Sequence, residues 1–173
     1  MDIYLKRIEK DDLDNLLEWR NDPGLMRFFR QKTFLSKIEH YNWFEAIQLD
    51  KTIEMFKVDC EDEYYAMVGV CGLTSIDYIN SRAEFSLYIG PEYQRKGIGK
   101  QVLNLLLDQA FNKFNLHLVW GESFEYNPAR EMFKKMGFLE EGKRREFYYK
   151  DGKYIDAYLY SITRDEWNKK NSN

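Results

Sequence analysis

Apolar residues recur at helical spacing between about residues 100 and 114, and this is the clearest pattern in the chain. The positions lie three and four residues apart, as on one face of a buried helix: Leu103, Leu106, Leu107, Ala110, Phe111 and Phe114. Apolar and polar residues alternate through residues 83–89, which predicts a strand that leads towards this helix. A strand, a short turn and a heavily buried helix are therefore expected in succession.

Weaker patterns predict the remaining elements. The expected strands cover residues 3–7, 52–58, 64–75, 116–120, 147–149 and 154–162, and further helices begin near residues 13, 37 and 129. The order is strand, two helices, three strands, helix, strand, helix and hairpin, with no repeat or linker. This order predicts one mixed α+β domain over residues 1–173, with a polar tail that frays from about residue 168.

Capping and turn residues support several of these boundaries. Asp11 or Asp12 is placed to cap the first helix, and Ser36 and Glu39 have the spacing of a capping box for the second. The Asp-Gly pair at residues 151–152 is a strong hairpin signal between two strand patterns. These signals locate helix starts and the final turn independently of the hydrophobic pattern.

The composition is that of an ordinary globular domain, with 44% hydrophobic and 32% charged residues in a chain of 173. The formal net charge of −3 provides no overall basic field that calls for nucleic acid or an anionic membrane. We interpret the basic run at residues 143–145 as a solvated face. The first residues do not form a signal peptide, and no apolar run approaches the ~20 residues of a membrane span, so a cytoplasmic protein is expected.

Two cysteines, Cys60 and Cys71, are present without a CxxC pair or a paired-histidine spacing. This pattern argues against a zinc site and a disulfide framework, so no metal is expected. Cys71 as an acyl-carrying nucleophile is the alternative to a buried structural cysteine, which we favour.

A glycine-bearing turn, Gln94-Arg95-Lys96-Gly97-Ile98-Gly99-Lys100, joins the predicted strand to the buried helix. Glycines let the backbone approach an anion closely, and a helix start offers unpaired N–H groups. The turn is not a P-loop, because Gln94 and Gln101 stand where that motif needs glycine and Ser or Thr. It is not the dinucleotide fingerprint, because Val102 replaces the third glycine. We interpret it as a pyrophosphate site; the alternative is a loop that only allows close packing.

Residues 89–99, with the pattern Q-x-x-G-x-G, resemble the coenzyme A motif of the GNAT superfamily of N-acetyltransferases. A second segment is similar to that family's Asn…Ala…Tyr…Gly-Phe pattern and contains Asn127, Ala129, Phe133, Gly137 and Phe138. The predicted element order agrees with the family over nearly the full chain. The resemblance implies an acetyl-CoA-dependent enzyme with a central mixed, mostly antiparallel sheet, a splayed strand pair and flanking helices.

The resemblance also implies which residues hold the coenzyme. Backbone N–H groups of the turn would cradle the pyrophosphate, and the strand before it would offer backbone hydrogen bonds to the pantetheine arm. The asparagine after the following strand often contacts the coenzyme in this family. The implied coenzyme-binding residues are Leu87, Tyr88, Ile89, Gln94, Arg95, Lys96, Gly97, Ile98, Gly99, Lys100 and Asn127.

Acetyl transfer to an ammonium is helped by a base, and the two carboxylates nearest the implied splay are Glu84 and Glu122. Both match acidic positions in some family members, Glu122 on the assumption that one residue is missing after Asn127; either is alternatively an ordinary surface carboxylate. The family's usual general acid is a tyrosine, and this chain has Phe133 there, which has no proton to donate. Tyr126 or water is then the candidate proton donor.

The acceptor side is carried by the first fifty residues. Residues 19–22 and 36–44 resemble two GNAT branches, one acting on nucleotide-linked amino sugars and the other on N-terminal amines of ribosomal proteins. We favour a nucleotide-linked amino sugar; a ribosomal-protein acceptor and a non-catalytic acyl-CoA-binding module are the alternatives. The partner is then a small-molecule or peptide amine, and a homodimer is left open. Residues 25–34 are aromatic and basic, and we expect their arginines to face water.

Overall fold

The computed structural model describes residues 2–61 and 66–171, so most of the predicted loop at residues 61–63 lies outside the described part. The strands are β1 (Asp2–Arg7), β2 (Glu54–Glu61), β3 (Ala66–Asp77), β4 (Arg82–Ile89), β5 (Leu118–Phe124), β6 (Leu139–Lys150) and β7 (Lys153–Thr163). The helices are α1 (Leu13–Asn21), α2 (Pro23–Met26), α3 (Lys37–Leu49), α4 (Ile98–Asp108), α5 (Ala129–Lys135) and α6 (Arg164–Asn171). The predicted α+β element order is confirmed.

One seven-stranded sheet, in the order β1-β2-β3-β4-β5-β7-β6, runs through the molecule. Neighbouring strands are antiparallel except for β4 and β5, which are parallel. The predicted mixed, mostly antiparallel sheet is therefore confirmed.

The largest core lies between the sheet and α4. Leu103, Leu106 and Leu107 of α4 are fully buried there together with Val119 of β5. The predicted helical stretch continues beyond α4 as a π-helical turn, Gln109–Lys113. This packing fixes the start of α4, and with it the glycine-bearing turn, against the sheet.

A second core covers another part of the sheet and is formed by α1, α2 and α3. Its buried members include Leu13, Leu16, Trp19 and Phe44. The capping box that starts α3 is confirmed: the Ser36 hydroxyl accepts from the N–H of Glu39, whose carboxylate accepts from the N–H of Ser36.

Two boundary predictions near the chain ends are wrong. The carboxylate of Asp12 does not cap α1; it accepts from the N–H of Glu9 at 2.7 Å and pairs with Lys57 at 2.9 Å. The segment after Trp167 is not frayed through its length, because α6 extends to Asn171. A second capping box, between Thr163 and Glu166, begins that helix.

The hairpin signal near the end of the chain is confirmed. Asp151 and Gly152 both have positive φ, +50° and +81°, as a tight hairpin turn requires. The first arm is much longer than predicted, since β6 already begins at Leu139. This long hairpin places β6 next to β7, and side chains of β6 reach from there to Glu122 of β5, where the candidate site lies.

Candidate active site

The parallel pair formed by β4 and β5 separates after three residue pairs. Arg82 pairs with Leu118, Ala83 with Val119 and Glu84 with Trp120, and the described ladder ends there. Residues 85–89 keep their pairing with β3 on the other side. One edge of this β4 segment therefore faces a gap, which is the splay expected between the strands.

An aromatic cluster fills one side of this gap. A Cβ placed on Gly121 would lie 2.5 Å from the ring of Phe85, so the missing side chain leaves room for that ring. Phe85 in turn packs against Phe133 and Phe138, with ring centroids 5.2 and 5.3 Å away. Phe133 is 6% exposed and lies within apolar packing. Phe133 thus stands at the position of the family tyrosine, and its ring packs against that of Phe85 beside the gap between the strands.

The glycine-bearing turn lies between β4 and α4. Gly97 has a φ of +77° and α4 begins at the next residue, so the first N–H groups of the helix have no intrahelical acceptor. Nothing lies within 4 Å of the position that a Gly97 Cβ would occupy. Arg95, Lys96 and Lys100 are exposed beside it. This arrangement offers both backbone donors and positive charge to an anion.

The other implied coenzyme residues surround this turn. Gln94 donates from its side-chain amide to the carbonyl of Ile89 at 3.1 Å, which ties the turn to the end of β4. Leu87 and Ile89 pack against the α4 core, whereas Tyr88 packs against the rings of the second core. Asn127 accepts from the N–H of Ala129 at 3.0 Å and caps α5. The structure therefore gives Asn127 a structural role whether or not it contacts the coenzyme.

Both predicted carboxylates lie at the splay, and one arginine joins them. The Arg30 guanidinium contacts Glu84 and lies 2.9 Å from Glu122. The side chain of Glu122 is 2% exposed and that of Glu84 is 12% exposed. Neither glutamate is an ordinary surface carboxylate. Arg30 keeps the exposure expected for the arginines of residues 25–34, with its side chain 49% exposed, and its guanidinium also contacts both glutamates.

Two residues of β6 complete the surroundings of Glu122. Arg144 donates to one carboxylate oxygen at 2.9 Å, and the Tyr148 hydroxyl donates to the other. A bulge between Arg144 and Tyr148, with Glu146 at a φ of +50°, interrupts the ladder between these residues. The basic run at residues 143–145 is therefore not simply a solvated face.

The electrostatics of this cluster favour a charged guanidinium at Arg30 and a neutral phenol at Tyr148. Burial raises the pKa of Tyr148 to about 12, and hydrogen bonding to Glu122 adds to the shift. Burial lowers the pKa of the Arg30 guanidinium, but its hydrogen bond to Glu84 and the charges of Glu84 and Glu122 outweigh that effect, so its pKa is raised. Arg30 thus stays charged, and Tyr148 stays protonated at neutral pH.

Glu84 and Glu122 differ in how fully their oxygens are engaged. Glu122 receives donors from Arg30, Arg144 and Tyr148, which leaves little capacity for a proton. Glu84 has one close partner, Arg30, whose other nitrogen is 3.5 Å from the second Glu84 oxygen. The geometry distinguishes an anchored carboxylate, Glu122, from a freer one, Glu84.

The candidate proton donor Tyr126 is engaged elsewhere. Its hydroxyl donates to the carbonyl of Arg27 at 2.7 Å, and its ring lies 6.1 Å from that of Phe28. Burial raises the pKa of Tyr126. Its hydroxyl is therefore committed to holding the loop between α2 and α3.

That loop, residues 27–36, is fixed by side chains from both ends of the chain. The Lys150 ammonium donates to the carbonyls of Met26, Phe29 and Gln31. The Gln31 amide donates to the carbonyls of Arg20 and Thr33 and accepts from the Arg20 guanidinium. These bonds hold the backbone that carries Arg30 over the splay.

Sequence reasoning missed Arg30, Arg144 and Tyr148 as members of the site. They lie 22 to 92 residues from the glutamates they contact, since Arg30 reaches Glu122 as well as Glu84. The aromatic and basic character of residues 25–34 was the available signal for Arg30. For the two β6 residues no local motif pointed to the site.

Neither a metal-binding cluster nor a membrane-spanning helix is found within residues 2–61 and 66–171. In this part of the chain, no group of three or more His, Cys, Asp or Glu side chains is arranged to hold a metal ion. Cys71 is fully buried, and burial raises its pKa, which disfavours a thiolate nucleophile. None of the helices found in these residues has the length and apolar character needed to cross a membrane.

A family model described as an acetyltransferase (GNAT) domain matches residues 2–139. The chain belongs to this GNAT family. The splay and the glycine-bearing turn lie where the resemblance places the coenzyme, and this placement stays a prediction.

Curated relatives extend this GNAT assignment along nearly the whole chain. A spermidine N(1)-acetyltransferase of Vibrio cholerae is 30% identical over 166 residues, which cover 95% of each chain. The corresponding enzyme of Escherichia coli K12 is 26% identical over 168 residues, 95% of this chain and 88% of the relative. A putative ribosomal N-acetyltransferase of Bacillus subtilis is 32% identical over 103 residues, 59% of this chain and 56% of the relative.

A solved GNAT structure agrees closely with the fold. Spermidine N-acetyltransferase from Vibrio cholerae, in complex with CoA and spermine, superposes with a TM-score of 0.91 at 28% identity, covering 96% of this chain and 98% of that one. This GNAT protein is accordingly an acetyl-CoA-dependent N-acetyltransferase, and acetyl-CoA is its co-substrate. The relatives do not support the nucleotide-linked amino sugar that we favoured from the sequence.

Proposed function

We propose that this acetyltransferase uses a polyamine as its acceptor and transfers the acetyl group to a primary amine. The observation that carries the proposal is the similarity, over nearly the full length of both chains, to an enzyme whose structure contains CoA and spermine. The spermidine enzymes among the curated relatives support the same acceptor class.

The carboxylates at the splay suit an ammonium substrate. Glu84 and Glu122 are both largely buried and lie close enough to share one cation, since Arg30 contacts both. An alkylammonium placed there would gain charge-assisted hydrogen bonds. The donor would be presented from the other part of the gap, between β4 and β5, by the residues implied to bind the coenzyme.

Glu84 is the better candidate for the base. It would take one proton from the ammonium, and the neutral amine would then attack the thioester carbonyl. The new C–N bond forms as the C–S bond breaks, and the second amine proton accompanies departure of the coenzyme thiol. Glu122 is bound by three donors and serves this step as the fixed negative charge beside it.

A water molecule would relay the second amine proton to the leaving thiolate. Phe133 has no hydroxyl, and the Tyr126 hydroxyl donates to a backbone carbonyl. Tyr148 donates to Glu122 and has a raised pKa, which favours a hydrogen-bonding role over proton loss.

An acceptor panel tests the proposal directly. Purified protein is incubated with acetyl-CoA and with spermidine, spermine, a nucleotide-linked amino sugar or a ribosomal-protein N-terminal peptide, and release of free thiol is followed. We expect turnover with spermidine or spermine, with one primary amine acetylated by mass spectrometry. A polyamine with methylated terminal amines is the matched control. Turnover on the sugar or the peptide, but on neither polyamine, would overturn the polyamine proposal.

A further inference from the structure

We infer that Arg30 is a resident cation in the ammonium subsite of the acceptor, and that the substrate ammonium must displace it to bind. The inference rests on acetyl transfer to a primary amine and not on which amine is used. Its starting point is the bridge that the Arg30 guanidinium makes between Glu84 and Glu122.

Buried carboxylates need a cation in every state of the enzyme. Leaving a buried charge without a partner is far more costly than exchanging one partner for another. Glu122 retains Arg144 when Arg30 leaves, but within residues 2–61 and 66–171 the close partner of Glu84 is Arg30 alone. An incoming ammonium would therefore replace one positive charge with another and keep Glu84 compensated.

The Arg30 side chain has more freedom to move than the Arg144 side chain. The Arg30 side chain is 49% exposed and extends from the loop between α2 and α3. Arg144 projects from β6, where its backbone pairs with Ala157 of β7. A guanidinium on a loop residue with a water-facing side can swing outwards at small cost, while its backbone stays fixed by Lys150.

Displacement also prepares the chemistry. While Arg30 contacts Glu84, its guanidinium occupies the position from which a substrate ammonium would reach the carboxylate. Once Arg30 has withdrawn, the substrate ammonium is the cation next to Glu84. One N–H proton then passes to the Glu84 carboxylate, leaving a neutral amine and a neutral acid. Binding and activation of the amine are thereby coupled to the same movement.

The alternative role for Arg30 is a permanent contact with an anionic group of the acceptor. Both terminal nitrogens of Arg30 already face Glu84, and one of them also faces Glu122. An anion would have to compete with two buried carboxylates for these donors. The observed contacts therefore favour displacement by a cation over recruitment of an anion.

The test is Arg30→Met, which keeps much of the side-chain length and removes the charge. Arg27→Met is the matched control, because Arg27 lies on the same loop but stacks on Phe28 and Tyr126. For the acceptor that the wild type turns over, Arg30→Met should lower KM about tenfold and leave the KM for acetyl-CoA unchanged. Arg27→Met should change neither. An unchanged or increased acceptor KM in Arg30→Met would overturn the inference.

A binding measurement keeps the inference testable if no polyamine is acetylated, and Arg30→Gln takes the place of Arg30→Met if the latter does not fold. Propylammonium and spermidine are each titrated in a thermal-unfolding assay, with sodium chloride at equal ionic strength as the salt control. Both ammonium ions should raise the Tm of Arg30→Met by several degrees more than that of the wild type. The double variant with Glu84→Gln, which removes the unpaired carboxylate, should lose this extra stabilisation. Equal Tm shifts in wild type and Arg30→Met would refute displacement.

The outcomes for acceptor and displacement are separate. Extra stabilisation of Arg30→Met by propylammonium, without acetylation of any polyamine, would refute the acceptor proposal and support displacement. Acetylation of spermidine with the same KM in both proteins would support the acceptor proposal and refute displacement.

Discussion

The ring of Phe85 occupies the space that a side chain on Gly121 would need, with 2.5 Å between the ring and an added Cβ. Phe85 has little freedom to retreat, because it is 9% exposed and packs against Phe133 and Phe138. The close approach of these two residues, one from each splayed strand, sets the shape of the gap where donor and acceptor meet.

Gly121→Ala should therefore destabilise the protein by about 1–3 kcal/mol, the usual cost of overpacking a core. Gly142→Ala is the matched control, since nothing lies within 4 Å of the position of its added Cβ. Urea unfolding of the two variants measures the difference. A free energy of unfolding for Gly121→Ala equal to that of the control would show that the Phe85 ring can move aside to admit a side chain at residue 121.

Gly99→Leu tests the coenzyme turn. An added Cβ at Gly99 has only ordinary contacts, at 3.5 Å from the sulfur of Met132, so we expect a stability change of less than about 1 kcal/mol. The larger side chain at the helix start should hinder the pyrophosphate and raise the KM for acetyl-CoA at least about tenfold. Gly97 is less suitable, because its φ of +77° strains any substitution. An unaltered KM would place the pyrophosphate elsewhere.

Glu84→Gln should mainly lower the rate of acetyl transfer, whereas Glu122→Gln should mainly lower the stability of the fold. If Glu84 is the base, Glu84→Gln should lower kcat by about 10²–10⁴-fold at a pH below the pKa of the amine, and less as the pH rises towards it. Glu122→Gln should lower the free energy of unfolding by about 1.5–3 kcal/mol, because the hydrogen bonds from Arg144 and Tyr148 lose their charged acceptor. Rates across pH and urea unfolding distinguish the two. Equal rates in Glu84→Gln and wild type would remove Glu84 from the reaction.

Tyr148→Phe should remove a pH-dependent contribution to stability. The folded pKa of about 12 lies above the ordinary value of 10.0, so the neutral phenol stabilises the fold. This contribution is complete below pH 10 and disappears as the pH rises through 12. The free energy of unfolding of the variant should lie about 1.5–3 kcal/mol below wild type at neutral pH, as for a hydrogen bond to a charged group. A difference that is constant from pH 8 to 12 would contradict this assignment.

Lys150→Met should loosen the loop between α2 and α3. Three backbone carbonyls lose their ammonium donor, so hydrogen exchange at residues 27–36 should become at least several-fold faster. The acceptor KM should fall while the KM for acetyl-CoA stays the same, because the loosened loop holds the competing Arg30 less firmly over Glu84 and Glu122 and does not carry the coenzyme turn. Lys153→Met, an exposed position just beyond the hairpin turn, is the control. Unchanged exchange would show that Gln31 holds the loop without Lys150.

The donor side of the enzyme was predictable because its signals are local. A strand pattern, two glycines and a leucine-rich helix follow one another over residues 83–114, and the same short-range logic located the capping box at Ser36. The missed start of α6 was also local, since Thr163 and Glu166 have capping-box spacing. The sequence carried that signal, although polarity suggested fraying.

The acceptor side was less predictable because it depends on contacts between distant segments. Glu122 is surrounded by side chains from the loop before α3 and from the two ends of a bulge in β6. Periodicity gives no register for a bulge, and a run such as residues 143–145 reads as solvent-facing when its partner is unknown. Site roles for Glu84, Glu122 and the coenzyme turn stay predictions that the variants above test.

The bonds from Lys150 to the backbone of Met26, Phe29 and Gln31 join segments about 120 residues apart. We therefore expect acceptor preference to depend on the β6–β7 hairpin as well as on the first fifty residues. A chimera that received only the N-terminal segment of a relative would combine the relative's loop between α2 and α3 with this protein's own β6–β7 hairpin. The hydrogen bonds between Lys150 and that loop would then be lost. Transferring acceptor preference from one member of this family to another should require both segments to be exchanged together. During evolution, we expect substitutions in one segment to be accompanied by substitutions in the other.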